Sequence, residues 1–150
     1  MMNIRIMTGV LVMSLTLAHA ASMAGTDDAA AICQSCGMDA SKSETEFVVQ
    51  RKAGTVLHAC CINCARRLKK KLGEEVVGIT ALDYRTREHV GATNAVYVIE
   101  SKRIPKGSMM PFVFAFGARK DADEFQERYG GREVSFDDIV REIEVEKNRR

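Results

Sequence analysis

The chain has 150 residues, with 22 Lys and Arg against 20 Asp and Glu and a formal charge of +2. That length builds one domain or two very small ones. A near-neutral balance without a basic stripe and stacking aromatics excludes a nucleic-acid binder.

Residues 1–20 read as a secretory signal. Arg5 supplies the positive start, Ile6 to Leu17 the apolar stretch and Ala18-His19-Ala20 the small-residue cleavage site. The apolar stretch is about 12 residues, short of the roughly 20 that cross a bilayer as a helix. No cysteine directly follows a small residue at the cleavage point, so no lipid anchor is expected. The expected location is the periplasm. Residues 21–32, rich in Ala, Ser, Gly, Thr and Asp, form a polar leader.

The remainder divides into residues 33–86 and 87–150, which repeat one order of elements. In the first, Glu46 to Arg51 and Thr55 to Cys60 read as two strands around the turn Lys52-Ala53-Gly54. A helix follows from about Cys61 to Leu72, with Cys61, Cys64, Leu68 and Leu72 on one stripe and Gly73 as its stop. Glu75 to Leu82 reads as a third strand. In the second, Asn94 to Glu100 and Met110 to Phe116 are strands, Asp121 to Tyr129 a helix opened by an Asp121/Glu124 capping box, and Arg132 to Phe136 the returning strand. A last helix starts after Ser135, with Asp138 three residues on. The expected class is α+β: two tandem ββαβ units packed together, plus a C-terminal helix. Arg66, Arg67 and Lys69-Lys70-Lys71 lie on the helix of the first unit, where a solvated face is the plain reading and a contact surface for an acidic partner the sharper one.

The five cysteines carry the chemistry. Cys33-Gln34-Ser35-Cys36-Gly37-Met38 has the form of a knuckle: two residues between thiolates let both sulfurs face one ion, and Gly37 permits the tight turn. Cys60-Cys61-Ile62-Asn63-Cys64 supplies a second group. Cys61 and Cys64 share one helix face, while Cys60 can replace Cys61 or bind from the strand side. In an oxidising compartment thiols pair as disulfides, but an odd count leaves one over, and metal capture explains that count more easily. Met38 and Met109-Met110 offer thioethers, poor ligands for zinc and good ones for monovalent copper. His58, two residues before Cys60 on a strand, shares its face. His89 falls in a polar loop. The metal candidates are therefore Cys33, Cys36, Cys60, Cys61, Cys64, Met38, His58, Met109 and Met110. No nucleophile–base pattern, phosphate loop or dinucleotide fingerprint stands out, and no catalytic residue is assigned.

With these residues in hand, the chain resembles the NosL family of copper-binding accessory proteins for nitrous oxide reductase. The resemblance runs from Cys33 to about Ile143 and rests on Cys33-x-x-Cys36-Gly37-Met38. Supporting it are Asp83-Tyr84-x-Thr86, Ala95 to Ile99, Met109-Met110, Asp121 to Phe125, Gly130-Gly131 and Phe136 to Ile139. It implies two ββαβ halves, an extracytoplasmic Cu(I) carrier, a copper-accepting enzyme such as nitrous oxide reductase as partner, and ligation by Cys36 or Cys33 with Met109 or Met110. The second cysteine group resembles the TRASH or YHS heavy-metal ribbons. The expected function is Cu(I) delivery by ligand exchange. A structural zinc module, or a thiol oxidoreductase or metal-detoxifying enzyme using Cys60, Cys61 or Cys64, are the alternatives.

Overall fold

The computed structural model describes residues 31–149, so the expected signal segment 1–20 and most of the expected leader lie outside the described residues. Seven strands and three α-helices follow in order: β1 (Phe47–Arg51), β2 (Val56–Ala59), α1 (Ile62–Leu72), β3 (Val76–Leu82), β4 (His89–Gly91), β5 (Val96–Ile99), β6 (Val113–Phe116), α2 (Arg119–Tyr129), β7 (Arg132–Val134) and α3 (Phe136–Asn148). The strands form two antiparallel sheets, β2-β1-β3-β4 and β6-β5-β7. In each ββαβ run the first strand is central and the next two flank it, so the repeat read from the sequence is an α+β fold with one topology used twice. Strand β4 extends the first sheet beyond residue 86. Its residues, His89 included, look like loop in sequence because three residues carry no alternation long enough to read.

Periodicity explains the layers. In β1, Phe47 and Val49 are buried and face α1, which lies across β1, β2 and β3. Helix α1 presents Ile62, Cys64, Ala65 and Leu68 to that core and its lysines outward. It ends at Gly73, whose φ of 56° is the positive region that glycine enters without steric cost. Strands β5 and β6 are apolar on both faces, as a strand buried on both sides must be. Tyr97, Ile99, Val113 and Ala115 join the core of the first unit, whereas Val98, Phe114 and Phe116 pack with Ala122 and Phe125 of α2.

The two units therefore share a core. Phe47 of β1 stacks on Tyr97 of β5, with centroids 6.4 Å apart and planes 7° from parallel. Tyr84 of the first unit meets Phe125 of the second edge to face at 5.3 Å. Between them sits Asp83, 2% exposed. Its Oδ1 accepts from the backbone N–H of Arg85 at 2.7 Å and Thr86 at 3.0 Å, and its Oδ2 accepts from Gly117 N–H across the junction at 2.5 Å.

Two helix starts differ in kind. At α3, Ser135 Oγ accepts from Asp138 N–H at 3.2 Å and Asp138 Oδ2 accepts from Ser135 N–H at 3.4 Å, the reciprocal cap expected there. Helix α2 begins earlier than expected, at Arg119, with Ala118 as its cap residue and no side-chain cap bond, so Asp121 and Glu124 lie inside the helix. Among the described residues, no helix is long and apolar enough to cross a membrane.

Candidate metal centre

The knuckle is built by local backbone bonds. Cys33 N–H donates to Met38 O at 2.7 Å and Gly37 N–H to Cys33 O at 2.9 Å. Gly37, at φ 78°, closes the turn in a region that side-chain-bearing residues avoid. Gln34 then stitches this turn to β2. Its N–H donates to His58 O at 3.0 Å, and its side-chain carbonyl accepts from His58 N–H at 2.5 Å. The knuckle is thereby laid over the end of β2, where Cys60 lies.

The consequence is a four-sulfur group. The Sγ atoms of Cys33, Cys36, Cys60 and Cys64 all lie within 4.8 Å of one another. Cys36 and Cys60 are 3.5 Å apart, and Cys60 and Cys64 3.8 Å. The edge of a tetrahedron of thiolates at about 2.3 Å from a metal is about 3.8 Å, so these spacings match a coordination shell. Three of the cysteines are buried, at 0–1% exposure, and Cys36 is exposed. All five are free thiols. Among the described residues this is the group of His, Cys, Asp and Glu side chains that could surround one ion.

Cys60, and not Cys61, completes the group. Cys60 stands four residues before Cys64, a spacing that places both on one side of the entry to α1. Cys61 is the N-cap residue, with an extended backbone at φ −160° and ψ 170°. Successive side chains of an extended segment point to opposite sides, so Cys61, 1% exposed, goes into the core instead.

A hydroxyl holds Cys60 from behind. Ser43 Oγ donates to Cys60 O at 2.7 Å, and Thr45 N–H donates to Ser43 Oγ at 3.0 Å. Thr45 Oγ1 in turn donates to Ser108 Oγ at 2.6 Å, tying this support to the loop that leads into Met109 and Met110. Neither Ser43 nor Thr45 is legible as part of the site in sequence, since both fall in the polar run Asp39 to Thr45.

The thiols are electrostatically unequal. Burial opposes ionisation of Cys33, but backbone N–H groups of Cys60, Ser35 and Cys36 donate to its sulfur and outweigh that cost, lowering its pKa to about 7. Cys60 is pushed up by burial and then by the neighbouring Cys61. Cys64 is also raised, again by burial first, with a Ser35 hydrogen bond opposing. The centre thus pairs one thiol whose ionisation backbone donors favour with two whose ionisation burial opposes.

The other sequence candidates have different settings. Met38 and Met109 are half-buried against the core that contains the cysteines. Met110 is 74% exposed, and its carbonyl accepts from Asn63 Nδ2 at 2.8 Å, one residue from Cys64. His58 turns to a carboxylate: its Nδ1 is 2.7 Å from Glu46 Oε1, while His89 Nε2 is 3.5 Å from Glu46 Oε2. His58 and Glu46 share a sheet face because Val48, two residues after Glu46, pairs with His58.

Comparison with known proteins follows the same lines. The NosL family profile matches residues 24–144, most of the chain. The chain belongs to the NosL family. Its fold is similar to that of the copper chaperone NosL from Shewanella denitrificans, known from a crystal structure, with a TM-score of 0.63 and 21% sequence identity. The match covers 76% of this chain and 92% of that one. No curated protein is similar enough to match. Two ββαβ halves are thus the architecture of this NosL chain as well as the reading of its sequence.

Proposed function

We propose that this NosL protein is an exported carrier of monovalent copper, which the Cys33, Cys36, Cys60 and Cys64 sulfurs take up and release to an acceptor. The observation that carries the reading is one exposed thiol, Cys36, standing 3.5 Å from a buried one, Cys60. A group closed on three sides retains a soft cation, and an open fourth sulfur gives an incoming ligand its point of entry. The family and its copper-chaperone relative support copper over other soft ions.

The route is ligand exchange, with no redox change at sulfur. The cation enters past the exposed Cys36 and meets Cys33, whose ionisation its backbone donors favour, and the thiol proton leaves to solvent. Cys36 and Cys60 close on it. A monovalent ion of low coordination number requires fewer thiolates than tetrahedral zinc, which suits a centre where Cys60 and Cys64 resist ionisation. On transfer the acceptor's sulfur or nitrogen displaces Cys36, and the buried thiols are reprotonated as the ion leaves. Met38 and Met109 are the thioethers placed to assist, and Met110 is the one an acceptor meets. In this reading the chain transports an ion and catalyses no covalent step. The acceptor is a periplasmic copper enzyme of the nitrous oxide reductase kind.

Anaerobic titration with Cu(I) against a chromophoric chelator, beside zinc under the same conditions, tests the reading. Tight uptake of copper with preference over zinc, and passage of the ion to an apo copper enzyme, is the expected result. Zinc held in preference, with unfolding on its removal, would instead mark a structural metal module.

A further inference from the structure

A cleft of about 850 Å³ opens between α1, α3 and the segment that enters β6. Asn63, the residue before Cys64 in α1, and Met110 both line it, joined by the hydrogen bond from Asn63 Nδ2 to the Met110 carbonyl. Its floor is apolar, with Ile139 and Ile143 from α3 and Val113 from β6. Four charged side chains line it, two arginines and two glutamates, and they differ in how far they are already paired. Glu100 and Glu142 are both held by Arg132, at 3.2 and 2.7 Å. Arg67 makes no ion pair among the described residues. Arg66 has only a 3.8 Å approach to Glu144, its side chain is 11% exposed, and its Nε is buried without a hydrogen-bond partner. A buried donor left unpaired is costly, and a guanidinium is shaped to take a carboxylate through two parallel N–H groups.

We propose that this cleft docks an acidic segment of the metal-accepting protein, its carboxylates on Arg66 and Arg67 and its apolar side chains on Ile139 and Ile143. The identity of the occupant rests on the copper-carrier reading; the charge and shape of the site do not. A cleft of this volume with an apolar floor fits an extended stretch that mixes acidic and aliphatic residues better than a small dicarboxylate, which leaves the floor exposed. Docking there sets the acceptor against the exposed Met110.

The test uses the full chain and a fluorescein-labelled decapeptide alternating glutamate with leucine, with a lysine–leucine peptide as its control. Anisotropy is expected to show binding of the acidic peptide alone, weakened about tenfold or more in the Arg66→Gln/Arg67→Gln double variant and reduced by added salt. In wild-type protein labelled with ¹⁵N, the Arg66 Nε–H resonance is expected to move on addition of the peptide, a readout that needs no variant to fold. Binding unchanged by loss of both charges, an unmoved Arg66 resonance, equal binding of both peptides, or full displacement by succinate would each overturn the proposal. Copper stoichiometry is measured on the same samples. Peptide binding without copper uptake would leave the docking site standing and remove the carrier reading, and copper uptake without peptide binding would do the reverse.

Discussion

Cys36 and Cys60 are 24 positions apart in the chain, and their sulfurs meet at 3.5 Å, one at the surface and the other fully buried. That pairing depends on Gln34, whose backbone and side chain both bond to His58 and so hold the knuckle over the end of β2.

Separate serine substitutions will sort the five cysteines. Cys33→Ser, Cys36→Ser, Cys60→Ser and Cys64→Ser are each expected to weaken Cu(I) binding at least about tenfold, the lower end of what even supporting residues cost at a metal site. Cys61→Ser is expected to leave copper affinity within about twofold, because the Cys61 side chain is outside the sulfur group. Competition titration reads both outcomes, and equal losses at Cys60 and Cys61 would overturn the assignment.

Exposure predicts the order of alkylation. In apo protein at pH 7.5, iodoacetamide is expected to modify Cys36 first, with Cys33, Cys60, Cys61 and Cys64 following only as the fold opens, since each is at most 1% exposed. The low pKa of Cys33 does not reverse that order, because a buried thiolate is out of reach of the reagent. Mass spectrometry after short labelling times gives the order. Copper loading should then protect Cys36.

Gly107 links the second unit to the support behind Cys60. At φ 65° it lies against the backbone of the Lys42–Ser43 segment, where an added Cβ would come within 2.8 Å of Lys42 O and 2.9 Å of Ser43 Cα. Gly107→Ala combines a strained conformation with a backbone clash and is expected to cost about 1–3 kcal/mol. Because Ser43 is displaced with it, copper affinity should fall too. A chemical melt and a copper titration on one preparation check the two effects, and a stability loss with unchanged affinity would show that Ser43 does not govern Cys60.

Asp83 is the polar junction between the halves. Replacing it with alanine leaves the N–H groups of Arg85, Thr86 and Gly117 without their acceptor. Each of these part-buried hydrogen bonds to the carboxylate contributes about 1 kcal/mol, and the total expected for Asp83→Ala is about 3 kcal/mol. A lower urea midpoint with an unchanged slope is the expected signature. A loss well below 1 kcal/mol would mean that solvent reaches those donors.

Acid stability should depend on Glu46. Burial alone would raise its pKa, but hydrogen bonds from His89 and His58 prevail and hold it below the ordinary 4.5. A carboxylate whose folded pKa is depressed contributes stability that is present above the unfolded value and lost as pH falls through the folded one. The wild-type urea midpoint is therefore expected to decline as pH drops below 4.5, and Glu46→Gln to be less stable at pH 7 and flatter across that acid window. Parallel slopes in the two proteins would remove Glu46 from the account.

Local rules made much of this molecule readable in advance. Alternation in Phe47 to Arg51, the helical stripe through Cys64 and Leu68, the stop at Gly73, the turn at Gly37 and the cap of Ser135 on Asp138 each depend on residues a few positions apart. The paired thiol spacings pointed to a soft cation for the same reason. What spacing could not decide was the choice between Cys60 and Cys61, adjacent residues that differ only in which side of an extended segment they leave. It also could not show that His89 joins a strand and turns to Glu46, or that Arg66 lies half-enclosed with its Nε unpaired in the wall of the cleft between α1 and α3. Those outcomes were set by packing between segments tens of residues apart, where β-pairing, helix docking and a shared core orient each side chain, and no short stretch of chain carries that information.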